Sequence, residues 1–115
     1  MHIRNNIDEV IGKVVEFSKI TFGDDFHSVV LYGSYARGDY DDESDVDIMI
    51  MVNKNREELA GFRSLVNNYC ADLDLQYNVV LSSKLQSRAF FDEWKTEMPF
   101  YKNVERDGIV YVWET

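Results

Sequence analysis

Apolar side chains recur three or four positions apart at the start of the chain, at Ile3, Ile7, Val10, Ile11, Val14 and Phe17, with Thr21 continuing the row. That period predicts one amphipathic helix, with Asn6 and Glu9 spaced as a capping box and Gly23 where the helix should stop. Val29-Val30-Leu31-Tyr32 is a β-branched and apolar run cut off by Gly33, the pattern of a short buried strand. Ser34 to Arg37 predict a single helical turn. A second strand follows, with Val46, Ile48, Ile50 and Val52 on one face and Asp45, Asp47, Met49 and Met51 on the other. Both of its faces are apolar beyond Asp47, so it should lie in the middle of a sheet.

Leu59, Phe62, Val66, Tyr69, Leu73 and Tyr77 then mark a long helical stripe that starts near Arg56. Leu73, Leu75, Tyr77, Val79 and Leu81 also alternate with a period of two, so helix must give way to strand between Asp72 and Asn78. The strand reads most securely as Val79-Val80-Leu81-Ser82. A short helix is expected around Ser87 to Lys95, stopped by Pro99. Asp107-Gly108 is a turn signal before a last strand, Ile109 to Trp113. No repeat, low-complexity segment or linker interrupts the chain, and 115 residues suit a single domain, 1–115.

Composition narrows the function. Hydrophobic residues make up 45% and aromatics 14%, enough for a real core and too much for a disordered chain. Twelve basic residues stand against 21 acidic ones, a net charge of −9, which repels free nucleic acid but tolerates a metal-bound nucleotide. The one cysteine, Cys70, excludes an internal disulfide and fits a reducing compartment. The polar start Met-His-Ile-Arg-Asn-Asn is unlike a secretory signal, and the longest apolar run, Ile48 to Val52, is far too short to span a bilayer. These features lead to the expectation of a soluble, cytoplasmic protein without a membrane partner.

The chemistry concentrates in one stretch: Gly33-Ser34, ten residues, then Asp45-Val46-Asp47. Glycine lets the backbone turn sharply and approach a phosphate with no Cβ in the way. Ser34 falls at the start of the predicted turn, where backbone N–H groups favour an anion and its hydroxyl can donate one more hydrogen bond. Asp45 and Asp47, two apart on a strand, share a face with Cα atoms roughly 6.6 Å apart. That spacing suits two carboxylates holding a pair of Mg²⁺ ions, which prefer hard oxygen ligands and the phosphates of a substrate. Singly, the glycine reads as a turn residue, the serine as a helix cap and the acids as a solvated loop. Together, with a strand before the glycine and another beneath the acids, they read as a site.

The segment resembles the minimal nucleotidyltransferases of the DNA polymerase β-like superfamily, through Gly33-Ser34-Tyr35-Ala36-Arg37-Gly38 and Ser44-Asp45-Val46-Asp47-Ile48. A weaker likeness continues to Pro99-Phe100-Tyr101-Lys102-Asn103-Val104 and Asp107-Gly108-Ile109. The resemblance implies an α/β fold of the α+β type, a mixed sheet with helices mainly on one face, in agreement with the element order. It implies Mg²⁺-dependent transfer of a nucleotidyl group, AMP from ATP, to an acceptor hydroxyl. Gly33 and Ser34 would hold the triphosphate with Arg37 as a further phosphate contact, and Asp45 and Asp47 would be the catalytic, metal-binding acids, with two ions when nucleotide is bound. It also implies a HEPN-domain partner protein, toward which the chain would act as an antitoxin.

One position departs from the family pattern. Active members carry a third carboxylate on a further strand, but here Asn78 precedes the Val79-Val80-Leu81 run. Asp74 could serve only if that strand begins early, and Asp72 lies further off; the helical reading makes both surface acids beside a buried Leu73. The alternative function is therefore a catalytically incomplete module that binds Mg-NTP and regulates a partner by contact. His2 and His27 belong to no cluster with metal-ligand spacing. Phe90, Phe91, Trp94, Phe100 and Tyr101 read as core, with a partner surface as the alternative.

Overall fold

The computed structural model describes residues 3–113, with side chains from Asn6 onward; His2 lies outside the described residues. Helix α1 (Ile3–Phe22) leads through a short 3-10 turn into strand β1 (Phe26–Tyr32), the single turn α2 (Ser34–Arg37) and strand β2 (Val46–Val52). Helices α3 (Arg56–Ala60) and α4 (Arg63–Tyr77) precede strand β3 (Leu81–Ser87). Helices α5 (Arg88–Trp94) and α6 (Pro99–Asp107) and strand β4 (Ile109–Tyr111) complete the described chain. The four strands form one mixed sheet in the order β3-β2-β1-β4, with β1 antiparallel to β2 and β4, and β2 parallel to β3. The expectation of an α+β fold with a central second strand is met.

The two faces of β2 divide the core as its alternation requires. Val46, Ile48, Ile50 and Val52 join Ile7, Val10, Ile11 and Val14 of α1 and Val66 and Leu73 of α4 in the larger cluster. Met49 and Met51 face the other way, onto Phe91 of α5 and Tyr101 and Val104 of α6. The long helices thus cover one face and two short helices cover the other. No described helix is long and apolar enough to cross a membrane.

Several boundaries differ from the sequence expectation: β1 begins at Phe26 rather than Val29, and β4 ends at Tyr111, short of Trp113. The first helix already runs from Ile3, so Asn6 and Glu9 lie inside it rather than capping it. The long stripe is broken at Gly61 and Phe62 into α3 and α4, while its apolar residues keep facing the sheet. Asn55 and Glu58 form the capping box that starts α3, with Glu58 N–H donating to Asn55 Oδ1 at 2.8 Å. The third strand begins at Leu81, not Val79: Asn78 ends α4 in the left-handed region (φ 53°), the Val79 N–H still bonds back to the Asp74 carbonyl at 3.2 Å, and contact with β2 starts only at the Val80 carbonyl. Finally, Pro99 opens α6 instead of only ending what precedes it; its fixed φ and missing N–H suit the first helical position.

Candidate functional site

Gly33 leaves β1 with φ 72° and ψ −152°, a conformation open to glycine and strained for other residues. Its carbonyl accepts hydrogen bonds from the N–H groups of Ala36 and Arg37, both at 3.1 Å, which winds Ser34–Arg37 into a tight turn. The turn carries no capping side chain at Gly33, so its leading N–H groups are left for other acceptors. Gly38, with φ 85°, closes the turn by donating to the Ser34 carbonyl at 2.9 Å.

The acidic loop that follows is organised by its own side chains. Asp41 accepts from the Glu43 N–H at 2.9 Å and from the Ser44 hydroxyl at 3.2 Å, while its own N–H donates to Ser44 Oγ at 3.0 Å. Tyr40 stacks on Tyr35 with ring centroids 4.2 Å apart, fastening the loop to the turn. Asp41 is thus a structural acid, and the loop delivers Asp45, exposed, to the start of β2.

Antiparallel pairing of β1 with β2 sets Tyr32 opposite Asp47. The Asp47 carboxylate consequently stands against Gly33: a Cβ there would collide with Asp47 Oδ2. The Gly-Ser turn and Asp47 therefore meet, whereas Asp45, just before β2 and exposed, reaches this junction only through its charge on Asp47. The half-buried Asp47 carboxyl is pushed above its ordinary value, first by burial and then by the Asp45 charge; Arg37 and Lys84 act in the opposite sense. Burial, with the Asp47 charge beside it, also lifts the Tyr32 phenol to about 12.

A cavity of about 440 Å³ opens over this junction. Gly33, Ser34, Arg37 and Asp47 line one side, and α6 supplies Phe100, Asn103 and Asp107 on the other. Phe100 packs edge-on against Tyr32 at 5.6 Å between ring centroids and is 40% exposed. Arg37 pairs with Asp39 at 3.2 Å while its charge reaches Asp47 and Asp107. The contribution of α6 escaped the sequence reading. Its signal was present: once Pro99 is taken as a first helical residue, Phe100, Asn103 and Asp107 fall on one face by the 3.6-residue period, and Tyr101 and Val104 on the buried one.

Asp72 and Asp74 both lie on α4, as the helical reading held, but only Asp72 is a surface acid. Asp74 Oδ1 accepts the Leu81 N–H at 2.9 Å. Its carboxyl is raised by burial first, lowered by that hydrogen bond, and raised again by the Asp45 charge. A helix position therefore still leaves this acid within electrostatic reach of the site. Trp94 and Phe100 are partly exposed rather than fully core, whereas Phe91 and Tyr101 are buried.

Asp45 and Asp47 offer the hard carboxylate oxygens that Mg²⁺ favours, and their mutual repulsion is what a cation between them would relieve. No group of three His, Cys, Asp or Glu side chains is gathered for a metal among the described residues, so phosphate oxygens would have to complete the coordination.

Residues 8–110 match the nucleotidyltransferase domain family. Two proteins of Methanocaldococcus jannaschii, each named a putative protein adenylyltransferase, are similar to the chain. The first is 32% identical over 91% of this chain and 97% of its own length, and the second 34% identical over 74% and 91%.

Proposed function

The chain belongs to the nucleotidyltransferase domain family and is a nucleotidyltransferase, and on that premise we propose that it transfers AMP from Mg-ATP to a hydroxyl group of an acceptor protein. The observation that carries the reading is the contact between the Gly33 turn and the Asp47 carboxylate at the floor of one cavity. The protein acceptor and the adenylyl group draw on the activity for which the archaeal relatives are named. A HEPN-domain protein that the chain modifies as an antitoxin is the acceptor to try first, and the cytoplasm, where ATP is abundant, is the compartment.

In this reading Gly33 brings the backbone close to the triphosphate, and Ser34 donates its hydroxyl to a phosphate oxygen. Arg37 adds a cation at the cavity wall, released from Asp39 to a phosphate. Asp45 and Asp47 would hold Mg²⁺, which would supply positive charge at the phosphates. The acceptor oxygen bonds to the α-phosphorus and gives up its proton to solvent while the bond to the bridging oxygen breaks and pyrophosphate departs. The 440 Å³ cavity and the Phe100 wall orient the nucleotide and keep water from the reacting phosphorus.

Thermal melting tests the shared site. Mg²⁺ and ATP together should raise Tm by more than the sum of their separate effects, because each completes the other's ligand set. Chelation with EDTA should return Tm to that of the ligand-free protein, and Asp45→Asn should abolish the synergy with the fold intact. Equal Mg-ATP binding by Asp45→Asn and the parent would remove Asp45 from the site.

A further inference from the structure

Among the described strands β3 is an edge strand, paired with β2 alone. A second cavity of about 300 Å³ runs over that edge, between α3 and α4 on one side and Tyr101 of α6 on the other. Among the described residues its charged lining is Arg56, Arg63 and Lys84, with no acid, in a protein of net charge −9. Arg63 and Lys84 are exposed and make no ion pair among the described residues. The Arg56 guanidinium sits 4.6 Å from the Phe90 ring centroid and likewise makes no ion pair among the described residues.

Backbone parity sharpens this. Val46 N–H bonds to the Val80 carbonyl at 2.8 Å, and Val46 pairs with Leu81 in parallel register. In a parallel ladder alternate residues turn both backbone groups to the same neighbour, so Ser82, Lys84 and Gln86 bond to β2. The odd residues face outward. Asp74 already takes the outward N–H of Leu81; the N–H and C=O groups of Ser83 and Leu85 open into the cationic groove. Lys84 links the groove to the candidate site, since its ammonium lies 6.0 Å from the Phe100 ring centroid and its charge is felt by Asp47.

We propose that the β3 edge is the acceptor-docking groove, and that it takes an extended acidic segment of the acceptor protein as an added strand held by Arg56, Arg63 and Lys84. Main-chain bonds to Ser83 and Leu85 would set the segment's register, and the cations would select its charge. Running toward Lys84 and Phe100, the segment would present a hydroxyl-bearing side chain to the cavity. This rests on the adenylyl-transfer reading for its purpose, but docking needs no nucleotide and is testable without it.

The probe is a fluorescent random copolymer of glutamate and tyrosine, titrated by anisotropy in the absence of nucleotide. A lysine–tyrosine copolymer and poly(U) RNA serve as competitors of other chemistry. The full chain should bind the acidic copolymer with an affinity that falls steeply with salt, and the single change Arg63→Glu should weaken it about tenfold, the double change Arg56→Glu/Arg63→Glu further. Arg63→Ala, a milder change at an exposed position, should weaken it less. Mg-ATP binding should be unchanged in all three, which also shows that they fold. Hydrogen exchange should slow at the Ser83 and Leu85 amides when the copolymer is bound, an effect that diffuse charge attraction alone does not produce. Binding without label transfer from ATP would speak against the adenylyl reading and leave the groove standing. Unweakened copolymer binding by the double variant, unprotected Ser83 and Leu85 amides, or a preference for poly(U) or the basic copolymer would overturn the docking proposal.

Discussion

The Asp47 carboxylate occupies the space that a Cβ on Gly33 would need. Gly33 directly follows β1 and Asp47 is the second residue of β2, so the antiparallel pairing of Tyr32 with Asp47 brings the turn against that carboxylate. The Gly33→Ala variant should suffer twice. The left-handed backbone should cost about 1–3 kcal/mol of stability, and the Asp47 side chain must turn away from the cavity. Transfer activity should be lost even at temperatures where the circular dichroism of the variant matches the parent. Activity that survives in a folded Gly33→Ala protein would show that the contact is incidental.

Asp47 should carry a stability cost of its own. Its carboxyl is raised above 3.8 in the folded chain, so folding takes up a proton between that value and the folded one. The stability this contributes is full below pH 3.8 and is lost as pH rises through the folded pKa. Asp47→Asn has no such loss. Without metal it should therefore melt higher than the parent at pH 7, with the difference gone below about pH 3, while transfer falls about 100-fold or more. A lower Tm for Asp47→Asn at pH 7 would contradict the assigned repulsion.

Asp74 is an acid whose hydrogen bond matters more than its charge. Asp74→Ala removes the acceptor of the Leu81 N–H and should cost about 1 kcal/mol. Asp74→Asn keeps an oxygen at that position and relieves the repulsion from Asp45, so it should be at least as stable as the parent. Differential scanning calorimetry of the pair decides: equal losses in both variants would mean that the Leu81 bond contributes nothing.

The legibility of the sequence was uneven for physical reasons. Alternation along Val46–Val52 was enough to place β2 centrally, because both faces of a central strand must be apolar where they are covered. The tight turn at Gly33-Ser34 was legible from local backbone rules, and so was the position of Asp47 on β2, although Asp45 falls just before the strand rather than on its face. Pairing was not legible. That β1 and β2 are neighbours depends on pairing across the connection 33–45, and that α6 forms the opposite wall depends on contacts between segments far apart in sequence. Asp74 shows the other limit. Helix and strand were posed as exclusive homes for a third acid near the site, yet the last turn of α4 ends beside β3 and keeps the carboxylate near Asp45. The cationic groove was invisible because Arg56, Arg63 and Lys84 belong to three elements that only the crossover between β2 and β3 unites.

The sheet that carries the site should be unforgiving. Ile48 follows Asp47 and is fully buried between β2 and the α1–α4 layer. Ile48→Ala should cost about 2–5 kcal/mol, and urea titration should show the lower midpoint with an unchanged slope. A loss under 1 kcal/mol would mean that the position collapses around the cavity and that β2 is less rigid than its packing indicates.

Label transfer from ATP tests the central claim most directly. The chain is incubated with Mg²⁺, a candidate acceptor protein and ATP labelled either at the α-phosphate or at the γ-phosphate, and the acceptor is recovered and counted. The acceptor should gain the α label and not the γ label, with a mass increase of one adenylyl group (AMP less water) for each modified hydroxyl. Incorporation should vanish in EDTA and in both Asp45→Asn and Asp47→Asn. Transfer of the γ label, or α-label incorporation that persists in the two variants, would contradict the assignment of Gly33, Ser34, Asp45 and Asp47 to one nucleotidyl-transfer site.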